Sequence, residues 1–253
     1  MSYIAIYVLW LREMKRFWRA KSRIVGALAM PLFFLAFLGL GFNRMGISGL
    51  SPGINYISFL VPGILGMSLL FSSTFGGLSV LWDKEFGFMK EIMVAPVSRV
   101  SIVLGRIAGG VTTALIQATM IMAVAMAMGF RPFSWLLFSL SPIIMILISA
   151  CFLGLGLSFA SQMKDLQGFS IVMNFVIFPL FFLSGALYPM DNFPHWLKII
   201  SFLDPLTYGV DGLRSILIGA SSFALTLDLI VIFISALGMV ILGAYLFERS
   251  ESV

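Results

Sequence analysis

Apolar positions along the chain gather into six long runs, at 24–42, 54–81, 102–128, 135–160, 169–187 and 223–247, separated by shorter polar connections. Each run is near the about 20 residues that a helix needs to cross about 30 Å of hydrocarbon. None shows the strict alternation of a barrel strand, and backbone amides in lipid must find partners within their own helix. The pattern predicts an all-α integral membrane protein with six transmembrane helices. Composition agrees, with 60% hydrophobic residues, 11% charged residues and a mean hydropathy of +1.06. Soluble domains carry about 25% charged residues, so a soluble globule of this length is excluded.

Charge then sets an orientation. With the N-terminus in the cytoplasm, twelve of the sixteen Lys and Arg residues fall on the cytoplasmic side. Only Arg44, Arg131, Lys198 and Arg214 fall on the other. The asymmetry predicts a multi-pass protein of the cell membrane with both termini inside. The first basic cluster precedes a run of spanning length, so no cleaved leader is expected. Within 1–23, Tyr3, Tyr7, Trp10, Met14 and Phe17 share one side of a helix, and Arg12, Arg16, Arg19 and Arg23 share the opposite side. This predicts an amphipathic helix in the headgroup layer, aromatics inward and arginines toward lipid phosphate.

The connection at 82–99, WDKEFGFMKEIMVAPVSR, concentrates charge that is scarce elsewhere. On a helical wheel Trp82, Phe86, Met89 and Met93 form a narrow apolar stripe, with Asp83, Lys84, Lys90 and Glu91 around the rest. Pro96 ends any helix near Val94, and Ser98 is placed to cap the helix that follows. The segment reads as a short cytoplasmic amphipathic helix with a sharp turn behind it; a loop resting its apolar side on lipid is the alternative. Between spans four and five, SQMKDLQG offers a smaller contact through Lys164 and Asp165.

On the far side, 188–222 is neither span nor ordinary loop. Pro194 starts an apolar helix too short to cross the bilayer. Pro205 breaks it, and a second piece runs from Leu206 to a stop near Gly219. Two broken apolar helices suggest a re-entrant or interfacial element, since irregular backbone at that depth survives only against protein or water. A plain outer amphipathic loop is the alternative.

Candidate chemistry is sparse. Cys151 and His195 each stand alone, so neither a disulfide nor a Cys/His cluster can form within the chain. No phosphate-binding Gly-x-x-x-x-Gly-Lys motif occurs, and no nucleophile, base and acid set is available. Catalysis by this chain is not expected, nor is a metal site or nucleic-acid binding. Gln117 and Asn174 lie near the middle of spans three and five, where interhelical hydrogen bonding is the ordinary role for such groups. Arg106 and Asp228 lie near span ends, within reach of snorkelling or local pairing. Gly105-x-x-x-Gly109 would let another helix approach closely, although such spacing is common in spans by chance. The sixteen Met residues are scattered and read as span filler.

Two blocks carry a family resemblance. KEFGFMKEIMVAPVSRVSIVLGR resembles the cytoplasmic segment of membrane subunits of ATP-binding cassette type 2 (ABC-2) transporters, at Glu85, Gly87, Pro96, Val97, Ser98, Arg99, Gly105 and Arg106. FLSGALYPMDNFPHWLKIISFLDPLTYGVDGLR resembles the family's signature after the fifth span, at Ser184, Gly185, Tyr188, Pro189, Pro194, Trp196, Pro205, Tyr208, Asp211 and Arg214. The likeness covers essentially the whole chain as a single transmembrane domain and is nearest the drug-exporter-like branch. It implies the transmembrane subunit of an ATP-driven exporter, a homodimer or a pair with a paralogue, bound to two copies of an ATPase subunit that holds ATP and Mg. It implies that 82–99 is the coupling segment, with Trp82, Glu85, Phe86, Gly87, Met89, Glu91, Pro96, Ser98 and Arg99 as its contact residues. It further implies an outer gate at Tyr188, Pro189, Pro194, Pro205, Tyr208 and Arg214. The first and fifth spans would border the path, placing Asn174, Phe178 and Phe182 near it. The rival from a different class is an ion-coupled secondary transporter of lipophilic compounds, which calls for midplane ionisable residues and inverted repeats that the chain does not display. A lipid-acting membrane enzyme is disfavoured by the missing catalytic groups. The cargo is not written in these residues.

Overall fold

The computed structural model describes residues 3–42, 55–87, 98–163 and 165–250, and among them every regular element is helical. The chain begins with α1 (Tyr3–Arg19) and bends by 71° into α2 (Lys21–Phe42). Next come α3 (Tyr56–Gly76) and its continuation α4 (Leu78–Glu85), then α5 (Arg99–Ala127). The one-turn α6 (Trp135–Phe138) leads into α7 (Ser141–Gln162), followed by α8 (Leu166–Leu183). After a 3₁₀ turn at Met190–Asn192 come the short α9 (His195–Ser201), α10 (Pro205–Ile218) and the long α11 (Leu225–Ser250). Five stretches among these residues are long and apolar enough to cross a membrane, and the bent α1–α2 pair brings the number to six.

The spans differ in how much protein surrounds them. The α3–α4 span is the hub, with 72% of its apolar window buried against 17% for α11. Leu60, Ile64, Leu65, Leu69 and Leu70 on α3 are wholly enclosed. A helix apolar on every side belongs in such a place, because no face of it needs solvent. Where α3 passes α7, Gly77 meets the Gly156 backbone and Gly156 meets the Thr74 carbonyl, so closely that a Cβ on either glycine would overlap main chain. The crossing therefore rests on backbone contact, the means by which helices associate where lipid supplies no hydrophobic drive. By contrast α11 leaves Ile230, Phe233, Ile234 and Leu237 exposed, as a lipid-facing helix should.

The breaks at the far end follow local chemistry. Pro194 precedes α9, and Asp204 caps α10 by accepting from the Leu206 N–H at 2.9 Å. Gly219 ends α10 in the left-handed region, at φ 69°. These bounds agree with those read from Pro194, Pro205 and Gly219.

Candidate functional site

The end of the bundle that carries α1 is organised by one carboxylate. Asp83, in the last turn of α4, is only 2% exposed and accepts from two guanidinium groups. One is Arg12 Nη2 of α1; the other is Arg106 Nη2 of α5, at 2.7 Å. A buried carboxylate needs such partners, because stripping water from a lone charge costs several kcal/mol, of order 5. Beside it the Arg16 guanidinium lies 4.4 Å from the Trp82 ring centroid, a cation–π contact. Three helices distant in sequence thus meet at Trp82 and Asp83.

Small residues make the meeting possible. A Cβ at Gly105 would lie 2.8 Å from Leu9 Cβ, and one at Gly109 would lie 2.7 Å from Glu13 Cβ. The Gly105-x-x-x-Gly109 pair is therefore the seat on which α1 rests, and Trp10 Nε1 adds a bond to Thr112 Oγ1 at 3.1 Å. At the start of α5, Ser98 caps the helix, its hydroxyl accepting from the Ser101 N–H at 3.3 Å. Arg99 Nη1 donates to the Glu248 carbonyl at 2.7 Å, tying α5 to the last turns of α11.

Past this braced junction the chain turns outward. Glu85 closes α4 and is exposed, Phe86 shows 69% of its surface, and Gly87 adopts φ 77°, a left-handed turn open to glycine. Met89, Glu91 and Pro96 lie outside the described residues. Two details differ from expectation. Trp82 to Glu85 form the final turns of the long α3–α4 span and not the start of a separate helix. Trp82 and Asp83 are engaged by α1 and α5, because ion pairing and a cation–π contact hold them there. The α1 stripe is also divided: Met14 and Phe17 are buried, whereas Tyr3 and Tyr7 remain 81% and 59% exposed. Arg12 and Arg16 bind protein groups where lipid phosphate was the expected partner.

At the opposite end Arg214 of α10 is buried and donates Nη2 to the carbonyls of Gly185 (2.6 Å) and Ala186 (3.2 Å). Its guanidinium lies 3.8 Å from the Phe59 ring, and the Tyr56 hydroxyl donates to the Leu187 carbonyl at 3.2 Å. The turn after α8 is therefore pinned by α3 and α10 together. Asp211 accepts from the Ser222 and Phe223 amides, closing the connection to α11. Burial pushes the Asp204 carboxyl up to about 8, against the Leu206 amide, which favours the charged form. Pro189 is buried beside this turn, while Tyr188 and Pro194 are exposed. Pro205 opens α10, and the Tyr208 hydroxyl donates to the Phe202 carbonyl at 3.0 Å.

On α8, Asn174 is exposed among apolar neighbours, with Phe175 82% and Phe182 50% exposed. Phe178 is half-buried, edge-on to Phe71 and stacked with Phe182. The proposed residues thus fall into three separate places, two ends and one outer face. Asp83, Arg12 and Tyr56 are the contributors that the motif blocks do not contain; scarcity of carboxylates near span ends is the one signal that points to Asp83.

Comparison with known proteins places the chain as a whole. The family described as ABC-2 type transporter matches residues 4–218. The chain is 28% identical over 240 residues to the inner membrane transport permease YadH of Escherichia coli K12, covering 92% of this chain and 91% of that one. It is 31% identical over 214 residues to the putative transport permease ycf38 of Pyropia yezoensis, covering 83% and 72%. Nodulation protein J of Rhizobium meliloti is 30% identical over 203 residues, covering 79% and 76%.

Proposed function

The chain belongs to the ABC-2 type transporter family and is a membrane transport permease; on that premise we propose that it is the transmembrane subunit of an ATP-driven exporter. It works as a dimer, on two copies of a separate ATPase subunit that binds ATP and Mg, in the cell membrane with both termini inside. The observation that carries this reading is the junction at the end of α4. An exposed Phe86 beside the left-handed Gly87 projects from a helix end that Arg12, Arg106 and Arg16 hold stiff. A rigid mount is what a contact point needs if movement of a partner is to reach the spans instead of being absorbed locally. Glu85, Arg99 and the turn residues Met89, Glu91, Pro96 and Ser98 complete the contact surface, with charges fixing its register more than its affinity.

Asn174 supports the dimer and the path. An exposed amide in mid-span is costly against lipid, and is suited to an interface or a wet channel. Phe178 and Phe182 would line the same face. Arg214 and the pinned turn at Tyr188 and Pro189, with the α9–α10 helices from Pro194 through Pro205 to Tyr208, form the outer gate.

Affinity capture from native membranes tests the reading. An ATPase should co-elute with the wild-type chain, hydrolyse ATP in the eluate, and be lost on Phe86→Asp while the permease still folds. Cargo movement in liposomes by this chain alone, without ATP, would overturn it.

A further inference from the structure

Beneath the α1–α2 bend lies a cavity of about 230 Å³, bounded by α1, α2, α3, α5 and α7 of the one chain. A single water needs about 15 Å³ of such space, so there is room for a cluster of them. Two of the walls carry a polar stripe. Ser68, Ser72 and Gly76 of α3 and Ser79 of α4 recur at helical spacing and share one face. On α5, Arg106, Gly110, Thr113 and Gln117 do the same. Each stripe runs about 16 Å, roughly half of the hydrocarbon thickness. Asp83 pairs with Arg106, so Ser79 and Arg106 lie at the charged end, and Ser68 and Gln117 lie at the deep end.

The polar groups on these stripes are largely unspent. Thr74 Oγ1 and Ser158 Oγ turn back on their own helices, donating to the Leu70 and Gly154 carbonyls, each at 2.8 Å. Ser68, Ser72 and Ser79 make no hydrogen bond among the described residues, although Ser68 and Ser79 are only 3% and 5% exposed. The Gln117 carboxamide, 5% exposed, makes none either. Ser73 and Ser149 are also unpartnered, but their hydroxyls are sealed and they lie outside the cavity. Buried polar groups in proteins are hydrogen-bonded, and ordered water serves where the protein offers no partner. At the charged end Glu13 and Arg16 keep 18% and 27% of their side-chain surface exposed, so that end meets bulk water.

We propose that this cavity is a water-filled inlet, entered at Glu13 and Arg16 and reaching Gln117 near the middle of the membrane. Its waters bind the hydroxyls of Ser79, Ser72 and Ser68 in turn and end on the Gln117 carboxamide. Gln117 is thus a water ligand, where an interhelical hydrogen bond is the ordinary role for such a residue. The inlet lies within each chain, apart from the α8 face assigned to the path, and stands whether or not an ATPase docks at Phe86.

Single cysteines in lipid nanodiscs provide the test, on a Cys151→Ala background with no other thiol. Iodoacetamide alkylates the thiolate, displacing iodide, and a thiol sealed in protein or facing lipid stays protonated. Ser72→Cys should react at least about tenfold faster than Ser149→Cys, which is sealed, and Phe233→Cys, which faces lipid on α11. Ser79→Cys, nearer the entrance, should react at least as fast as Ser72→Cys. Cysteine is close to serine in size, so the unfolding midpoint should stay near that of the background. Ser79→Leu added to Ser72→Cys plugs the inlet without altering charge, and should lower the rate to that of Ser149→Cys. A Ser72→Cys rate no greater than that of Ser149→Cys, or one that Ser79→Leu leaves unchanged, would each overturn the proposal.

Discussion

At one end of the bundle Arg106 donates to the Asp83 carboxylate, which Arg12 also claims; at the other, Arg214 donates to the main-chain carbonyls of Gly185 and Ala186. Both guanidinium groups are buried, and their Nη2 groups are paired in different ways. A shared carboxylate joins helices α1, α4 and α5, which touch there through side chains. It braces those helices against one another. Carbonyl acceptors belong to one particular backbone shape, so an arginine bound to them fixes that shape and has no second arrangement to adopt. The first end is built as a joint, the second as a lock on a turn.

Removing the shared carboxylate should have the largest effect. Asp83→Asn leaves Arg106 buried beside a neutral group, and a loss of about 3–5 kcal/mol is expected, read from the unfolding of purified protein. Pairing Asp83→Leu with Arg106→Met should recover most of it, since the isolated charge is then gone. An unchanged midpoint in Asp83→Asn would break the comparison at its first term.

Arg214→Met should follow, at about 2–3 kcal/mol, because two buried carbonyls lose their donor. Arg214→Lys sharpens the point. If the planar fork matters, lysine restores stability only in part; full recovery would mean that charge alone holds the turn. Next comes Gly105→Leu, which must push α1 off α5 and should cost about 1–3 kcal/mol. Faster limited proteolysis within α1 would mark the loosened joint, and unaltered cleavage would show that α1 is held elsewhere. Trp82→Leu removes the ring under Arg16 and should cost about 0.5–1 kcal/mol at this half-buried site. Smallest is Asp191→Ala, which breaks the 3.0 Å pair with the exposed Lys198. Its effect on unfolding should stay within about 0.5 kcal/mol.

The parts of the molecule that were legible from sequence are those decided within a few residues. Ser98 was readable as a cap from its place behind Pro96, and it accepts from Ser101 three residues on. Pro194, Pro205 and Gly219 bounded the short outer helices because each acts on its own backbone. Five spans were readable from run length alone, and the bent α1–α2 pair makes a sixth. What stayed hidden depends on distant partners. Arg12 and Asp83 are separated by 71 positions, and Arg214 by 28 and 29 from the carbonyls it binds. The glycine pair at 105 and 109 advertises a close neighbour but does not say which helix it is. Aromatic periodicity in α1 was real, yet it could not distinguish a lipid surface from the side of α5.

The 71° bend gives α1 a moment arm. Its 17 residues extend about 25 Å from the pivot near Ala20. Arg12 stands about 12 Å along that beam, roughly half-way to Tyr3. If the beam turns as a rigid body, any sideways travel of Asp83 is geared up about twofold by the time it reaches the exposed Tyr3 and Ile4. A carboxylate moving by one bond length beside Arg12 would therefore register at the exposed start of α1 as a step twice that size.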